Sequence, residues 1–249
     1  MLDKRLSPNY SNKMLFARKH LDGCRSVLDV GCGQGDYFPM YMEMNVKYCG
    51  IDIDPRVAKG NERIKVASSE RIPFGDNEFD AIVIMDVIEH VADDIKSISE
   101  IHRVLSPKGK LIISVPNARF PFTYDPVNGF LRFFGRHIPI GAWSWGHRRL
   151  YRREEITRLV ESSGFEILGV EEVTHAFVSS FISYIPYMMM HAVSPLLKKL
   201  GLRKSEIKVE EKKKISGPIS RIYGFLNHID RKYFSKTHGT TICIYAVKK

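Results

Sequence analysis

The sequence predicts an α/β fold built on a mostly parallel sheet, and three observations carry that prediction. An apolar run, Val27-Leu28-Asp29-Val30, enters a turn with glycine at alternate positions, Gly31, Gly33 and Gly35. A second run, Lys47 to Ile53, follows one short helix later and ends around Asp52. Further apolar runs at Phe79 to Met85 and Leu111 to Pro116 are separated by segments with helical spacing, the alternation that stacks helices on a parallel sheet.

Asn12 to Leu21 reads as an opening helix. Val27 to Val30 has the composition of a buried parallel strand, and the three glycines let the backbone turn tightly and approach a ligand closely. Asp36 is suited to cap the helix that follows, and Pro39 is tolerated in its first turn. After the second strand come a short helix near Pro55 to Gly60, a third strand near Arg63 to Ala67 and a fourth at Phe79 to Met85. A helix from about Ala92 to Leu105 places Ile95, Ile98, Ile101, His102 and Leu105 near one face, and Ser106-Pro107-Lys108-Gly109 breaks it. The fifth strand ends at Pro116-Asn117. Arg153 to Ser163 reads as a helix closed by Gly164, Phe165 to Val173 as strand six, and Thr240 to Val247 as a final, antiparallel strand.

The glycine spacing is G-x-G-x-G, unlike the G-x-G-x-x-G that aims a helix N-terminus at a pyrophosphate. Asp29, two residues before the first glycine, suits a cationic ammonium better than a phosphate. Asp52 at the end of strand two can accept from both hydroxyls of a ribose, and Ile53 offers an apolar face to an adenine. The implied ligand is a nucleoside cofactor.

These residues resemble the class I S-adenosylmethionine-dependent methyltransferases, in the small-molecule group that includes quinone-biosynthesis enzymes. The resemblance spans residues 20–173 and the last ten, and it rests on several motifs in register. Besides the glycine turn and Asp52, these are Ser68-Ser69-Glu70-Arg71-Ile72-Pro73-Phe74, the strand from Phe79, the turn Asp86-Val87-Ile88-Glu89-His90-Val91, and Leu105 to Asn117. It implies a doubly wound, seven-stranded, Rossmann-like sheet, with S-adenosylmethionine as cofactor and S-adenosylhomocysteine as product. The cofactor set it implies is Asp29, Gly31, Cys32, Gly33, Gly35, Asp52, Ile53, Ser68, Ser69, Met85 and Asp86. Ser68 stands where the family commonly has an aspartate that bonds the adenine amino group, so here a hydroxyl or the backbone near Ser69 takes that place. Asp86 either faces the cofactor's methionine part or caps a helix.

The chain has 249 residues, 44% of them hydrophobic, enough for one methyltransferase domain carrying insertions. Met1 to Tyr10 lacks the apolar core of a signal peptide, so a cytoplasmic location is expected. Cys24, Cys32, Cys49 and Cys243 have no spacing that would hold zinc, and no metal is expected. Charge is uneven: residues 1–118 hold 16 Lys and Arg against 17 Asp and Glu, whereas residues 119–249 hold 22 against 11. The basic excess therefore lies outside the cofactor motifs, where it can attract nucleic acid, anionic lipid or an acidic substrate.

Two stretches, 118–149 and 175–236, exceed the minimal plan and are expected to cap the active site. The first is rich in aromatics, including Phe120, Phe122, Phe133, Phe134, Trp143 and Trp145, which either line an apolar acceptor pocket or pack the cap. Beside them, Arg148, Arg149, Arg152 and Arg153 either bind an acidic group of the substrate or simply begin an exposed helix. Val173 to Leu197 contains no Asp, Glu, Lys or Arg; as one helix it would measure about 37 Å, enough to cross a bilayer. Pro186 and Pro195 interrupt it, and a lysine-rich tract follows at 198–214. A packed cap, a peripheral membrane contact through 173–214 and a true span are the three readings, in that order of preference.

A sulfonium methyl is already activated, so the protein mainly aligns a nucleophile and excludes water. His90 and His147 are the candidate catalytic residues for a hydroxyl acceptor; otherwise His90 braces the turn and His147 lies at the rim. The expected activity is methyl transfer, to oxygen in preference to carbon or nitrogen, on an apolar or amphiphilic small molecule such as a quinone precursor, lipid or glycolipid. The alternatives are an RNA methyltransferase, for which no recognised RNA-binding module is seen, and a cofactor-binding protein without turnover.

Overall fold

The computed structural model describes residues 8–119, 134, 136, 147–175, 225, 228–230, 232–233 and 238–249. The expected cap aromatics other than Phe134, and the uncharged and lysine-rich tracts beyond residue 175, lie outside the described residues. Within them the chain runs α1 (Pro8–His20), β1 (Ser26–Val30), α2 (Phe38–Glu43), β2 (Lys47–Asp52), α3 (Pro55–Ala58) and β3 (Ile64–Val66). It continues through β4 (Phe79–Met85), α4 (Asp94–Val104), β5 (Leu105–Pro116), α5 (Arg153–Ser162), β6 (Phe165–Val173) and β7 (Thr241–Lys248).

The seven strands form one sheet in the order β3-β2-β1-β4-β5-β7-β6, with β7 antiparallel to both its neighbours and the remaining pairs parallel. This is the doubly wound arrangement expected. From β1 the chain winds outward through β2 and β3, then returns to β4 on the other side. The crevice outside the carboxyl ends of β1 and β4 is therefore the switch point, the place where open α/β sheets bind ligands.

Strand alternation divides the core between two faces. Leu28, Val30, Ile82, Ile84, Leu111 and Ile113 pack with Ile98, Ile101 and Val104 of α4 and with Ile156 and Val160 of α5. On the opposite face, Val27, Ala81, Val83, Met85 and Ile112 pack with Phe16 and Ala17 of α1 and Met40 and Tyr41 of α2. Both faces are covered, which explains why β1 and β4 are apolar at nearly every position rather than alternating.

Three local expectations are corrected. Asp36 does not cap α2: the N-cap is Tyr37, without a side-chain cap bond, and the Asp36 carbonyl instead accepts from the Tyr10 hydroxyl. Ile95 is 65% exposed, because the buried stripe of α4 runs through Ser97, Ile98, Ile101 and Val104. At 3.6 residues per turn Ile95 stands about 120° around the helix from Ile101. The breaker Ser106-Pro107-Lys108-Gly109 ends α4 as expected but belongs to β5, whose pairing with β4 is interrupted by an irregularity between Phe79 and Ala81. Lys108 there has φ 60°, and a Cβ on Gly109 would lie 2.7 Å from the Ser106 carbonyl, so the bend fits only glycine.

Candidate cofactor cleft and acceptor site

The carboxyl ends of β1, β2 and β4 meet at the switch point. β1 pairs Asp29 with Gly50 on one side and with Val83 on the other. Beyond Val30 the chain leaves the sheet through Gly31, Gly33 and Gly35, with φ of 70°, 52° and 76°, the left-handed region that glycine enters without a Cβ penalty. The backbone amides of Gly31 and Cys32 both donate to the Ile51 carbonyl, at 2.8 and 3.1 Å, which ties the turn to β2. A Cβ on Gly31 would run into the Val87 side chain, whereas the space before Gly33 is open. The turn after β4 and the glycine turn are therefore in direct contact.

Asp52 closes this arrangement. Its Oδ2 accepts from the Gly33 amide at 2.9 Å and its Oδ1 from the Asp54 amide at 2.9 Å, so the carboxylate is held in place while each oxygen keeps acceptor capacity. Ile53, next in the chain, is 75% exposed, an apolar side chain left bare beside the cleft. Asp29 is buried, and its Oδ2 has no hydrogen-bond partner. Burial pushes its pKa up to about 8, against a smaller lowering from the Tyr41 hydroxyl. Among the described residues, no cation offsets this burial.

The remaining sequence-expected residues occupy distinct positions. The Cys32 thiol is buried behind the turn, and burial pushes its pKa up to about 12, which makes it an inert packing group. Ser68 is half-buried, with its hydroxyl accepting from the Glu70 amide at 3.1 Å. Ser69 turns inward, its hydroxyl 2.9 Å from that of Ser97 on α4. Met85 is buried at the end of β4.

Asp86 caps no helix, since α4 begins later, at the N-cap Asp93, whose carboxylate accepts from the Lys96 amide at 2.9 Å. With φ 53°, Asp86 instead points its carboxylate at the Lys13 ammonium of α1, and the Ser114 hydroxyl donates to it at 2.8 Å. Burial opposes both charges of this pair. The attraction wins on each side: Lys13 is held above its usual value and Asp86 below its own. Sequence reasoning missed Lys13, because nothing in α1 alone signals which strand end it will meet.

The same turn carries Glu89 and His90, and the chain brings His147 to them from more than fifty residues away. The Arg148 amide donates to the Glu89 carbonyl at 2.9 Å, and Arg149 bonds the Val91 and Ala92 carbonyls and pairs with Asp94. Arg149 therefore does not begin an exposed helix, which starts at Arg153; its bonds tie the segment to the turn after β4. Nε2 of His90 and Nε2 of His147 each lie 3.9 Å from Glu89 Oε1, and the two rings meet at 4.7 Å between centroids. Burial, then the neighbouring His90, pushes His147 down to about 4, so its ring is neutral near pH 7. Burial and the charge of Asp86 push Glu89 well above the usual carboxylate range.

A family model described as a methyltransferase domain matches residues 3–170, more than half of the chain. The chain is 31% identical over 157 residues to a Mycolicibacterium smegmatis protein named as a probable S-adenosylmethionine-dependent methyltransferase, covering 61% of this chain and 56% of that protein. It is 36% identical over 108 residues to the ubiquinone/menaquinone biosynthesis C-methyltransferase UbiE of Citrifermentans bemidjiense, covering 37% and 46% respectively. The chain thus spans about half the length of the curated relatives it matches. A solved SAM dependent methyltransferase from Archaeoglobus fulgidus shares the fold, with a TM-score of 0.59 at 16% identity over 97% of this chain and 95% of that one.

Proposed function

Because this chain belongs to the S-adenosylmethionine-dependent methyltransferases, we propose that it transfers a methyl group to a hydroxyl of an apolar or amphiphilic small molecule, of the kind a quinone precursor or lipid represents. The observation that carries the choice of oxygen is the neutral His147, half-buried beside His90 on the turn that touches the glycine bend. The uncharged run from Val173 to Leu197 supports an apolar acceptor, as does the similarity to a quinone-biosynthesis enzyme, although that relative methylates carbon.

The residues present fit the cofactor. Asp52 retains acceptor capacity for two ribose hydroxyls, Ile53 supplies a bare apolar face for the adenine, and the orphaned Asp29 oxygen awaits a cation such as the methionine ammonium. In this reading Ser68 is assigned the adenine side and Met85, with the backbone at Ser69 and Asp86, the wall of the cleft. When bound, the cofactor supplies a sulfonium carbon that needs only an aligned nucleophile. His147 and His90 then hold the acceptor hydroxyl, with an unprotonated His147 nitrogen accepting its hydrogen bond and aligning the oxygen.

The test is turnover on an acceptor panel, following S-adenosylhomocysteine release and product mass. Hydroxylated, chain-bearing phenols are expected to be methylated on oxygen, and His147→Asn to lower kcat at least about 100-fold. Turnover confined to RNA or to non-hydroxylated acceptors would contradict the reading.

A further inference from the structure

We propose that Glu89, His90 and His147 together bind one divalent first-row transition-metal ion. One ligand atom from each of the three residues lies within 4.8 Å of the others, and each histidine Nε2 is 3.9 Å from Glu89 Oε1. The Glu89 side chain is fully buried, yet neither carboxylate oxygen has a hydrogen-bond partner, and the buried Nδ1 of His147 has none either. Buried polar atoms are nearly always satisfied, and a carboxylate is the costliest exception. A cation among these three groups would satisfy Glu89 at once.

The donor chemistry selects the ion. Two imidazoles and one carboxylate suit Zn²⁺, Mn²⁺, Fe²⁺ or Co²⁺, whereas Ca²⁺ and Mg²⁺ prefer oxygen throughout. Metal–ligand bonds of about 2.0–2.2 Å put donors about 3.0–3.5 Å apart, so each Glu89–histidine pair at 3.9 Å has about half an ångström to close, and the two histidine donors, within 4.8 Å, have more. Asp86 shares the turn, but Lys13 and Ser114 already hold its carboxylate, which leaves three protein ligands among the described residues. Three ligands leave coordination positions open, as in catalytic rather than structural sites. Val87, two residues before Glu89, packs against Gly31, so the ion would sit beside the cofactor turn.

An open position suits the hydroxyl oxygen of an acceptor, whose ionised form the cation stabilises; this role, unlike metal binding itself, rests on the methyl-transfer reading. In that case the histidines hold the acceptor through the ion. Sequence spacing gave no hint of the site, because its third ligand arrives on a segment joined to the turn only by the fold, through the Arg148 amide and Glu89 carbonyl.

Tag-free protein, stripped with a chelator, is titrated with Co²⁺, Mn²⁺ and Zn²⁺ by calorimetry, and the Co²⁺ form is followed by its visible ligand-field absorption. One equivalent is expected to bind, and Glu89→Gln and His147→Ala are each expected to weaken binding at least 100-fold. Binding of S-adenosylhomocysteine to the same samples reports separately on the cofactor cleft, so loss of the metal reading leaves the methyltransferase reading standing. Cofactor-competent parent protein that binds none of the three ions below millimolar concentration would overturn the proposal. Folded variants that bind them as tightly as the parent would do the same.

Discussion

Asp52→Ala is expected to weaken S-adenosylhomocysteine binding at least about 100-fold while leaving the melting temperature nearly unchanged. The carboxylate has two tasks in the proposed cleft. It braces the Gly33 and Asp54 amides, and it presents its remaining lone pairs to the ribose. Hydrogen bonds to a charged group contribute about 1.5–3 kcal/mol each, and about 1.4 kcal/mol is a factor of ten in affinity. Losing two such bonds to the ligand therefore costs two or more orders of magnitude, before any loosening of the glycine turn. The fold is little affected because Asp52 is only half-buried and the amides it releases can turn to water. Calorimetric titration of parent and variant measures the difference. An affinity within threefold of the parent would remove Asp52 from the site.

The second large effect is on stability. Lys13→Met keeps the buried stem of the side chain but removes the ammonium that faces Asp86, leaving that carboxylate with Ser114 alone. Breaking a buried ion pair by removing one partner costs about 3–5 kcal/mol. The Asp86 side chain retains 32% exposure, so solvent screening brings the expectation to about 2–3 kcal/mol. In a chain of this size that lowers the melting temperature by roughly 5–10 °C. Adding Asp86→Asn should recover most of the loss, since asparagine tolerates the left-handed backbone and keeps the Ser114 bond. A double variant no more stable than Lys13→Met would show that the pair is not the cause.

The pH dependence has a definite sign. Asp86 is held below the usual 3.8, so its share is present above that value and is lost as pH falls through the depressed pKa. Lys13 is held above the usual 10.5, so its share is present below that value and is lost as pH rises through the raised pKa. Between those limits the parent's share should be flat, whereas in Lys13→Met burial without the ammonium raises the Asp86 pKa, so the deficit against the parent should shrink as pH falls through that raised value.

What could be read from the residues was what depends on local pattern. The boundaries of β4 follow from the run at 79–85, because burial leaves an apolar signature, whereas β6, buried only at Phe165 and Val173, is marked at its start by Gly164. Thr240 to Val247 reads as a strand from expected alternation, but between β5 and β6 its burial is nearly continuous. The meeting of the glycine turn with Asp52 was legible because the two lie close in sequence and belong to adjacent strands. Docking between distant segments was not legible. The register of α1 against the strand ends decides that Lys13 meets Asp86, and the return of residues 147–151 along the turn after β4 decides that His147 meets Glu89. Ile95 shows the same limit on a smaller scale: helical spacing allowed it two faces, and packing against the sheet chose the other.

The central claim is that the glycine bend, Asp29 and Asp52 together grip S-adenosylmethionine, and calorimetric titration of the cofactor product at pH 7 in two buffers of different ionisation enthalpy tests it most directly. Asp29, at about 8 in the free protein, is mostly protonated at that pH, and an approaching ammonium would favour its ionised form. The expected result is saturable one-to-one binding with release of most of a proton. Folded protein that gives no binding at millimolar ligand would contradict the account.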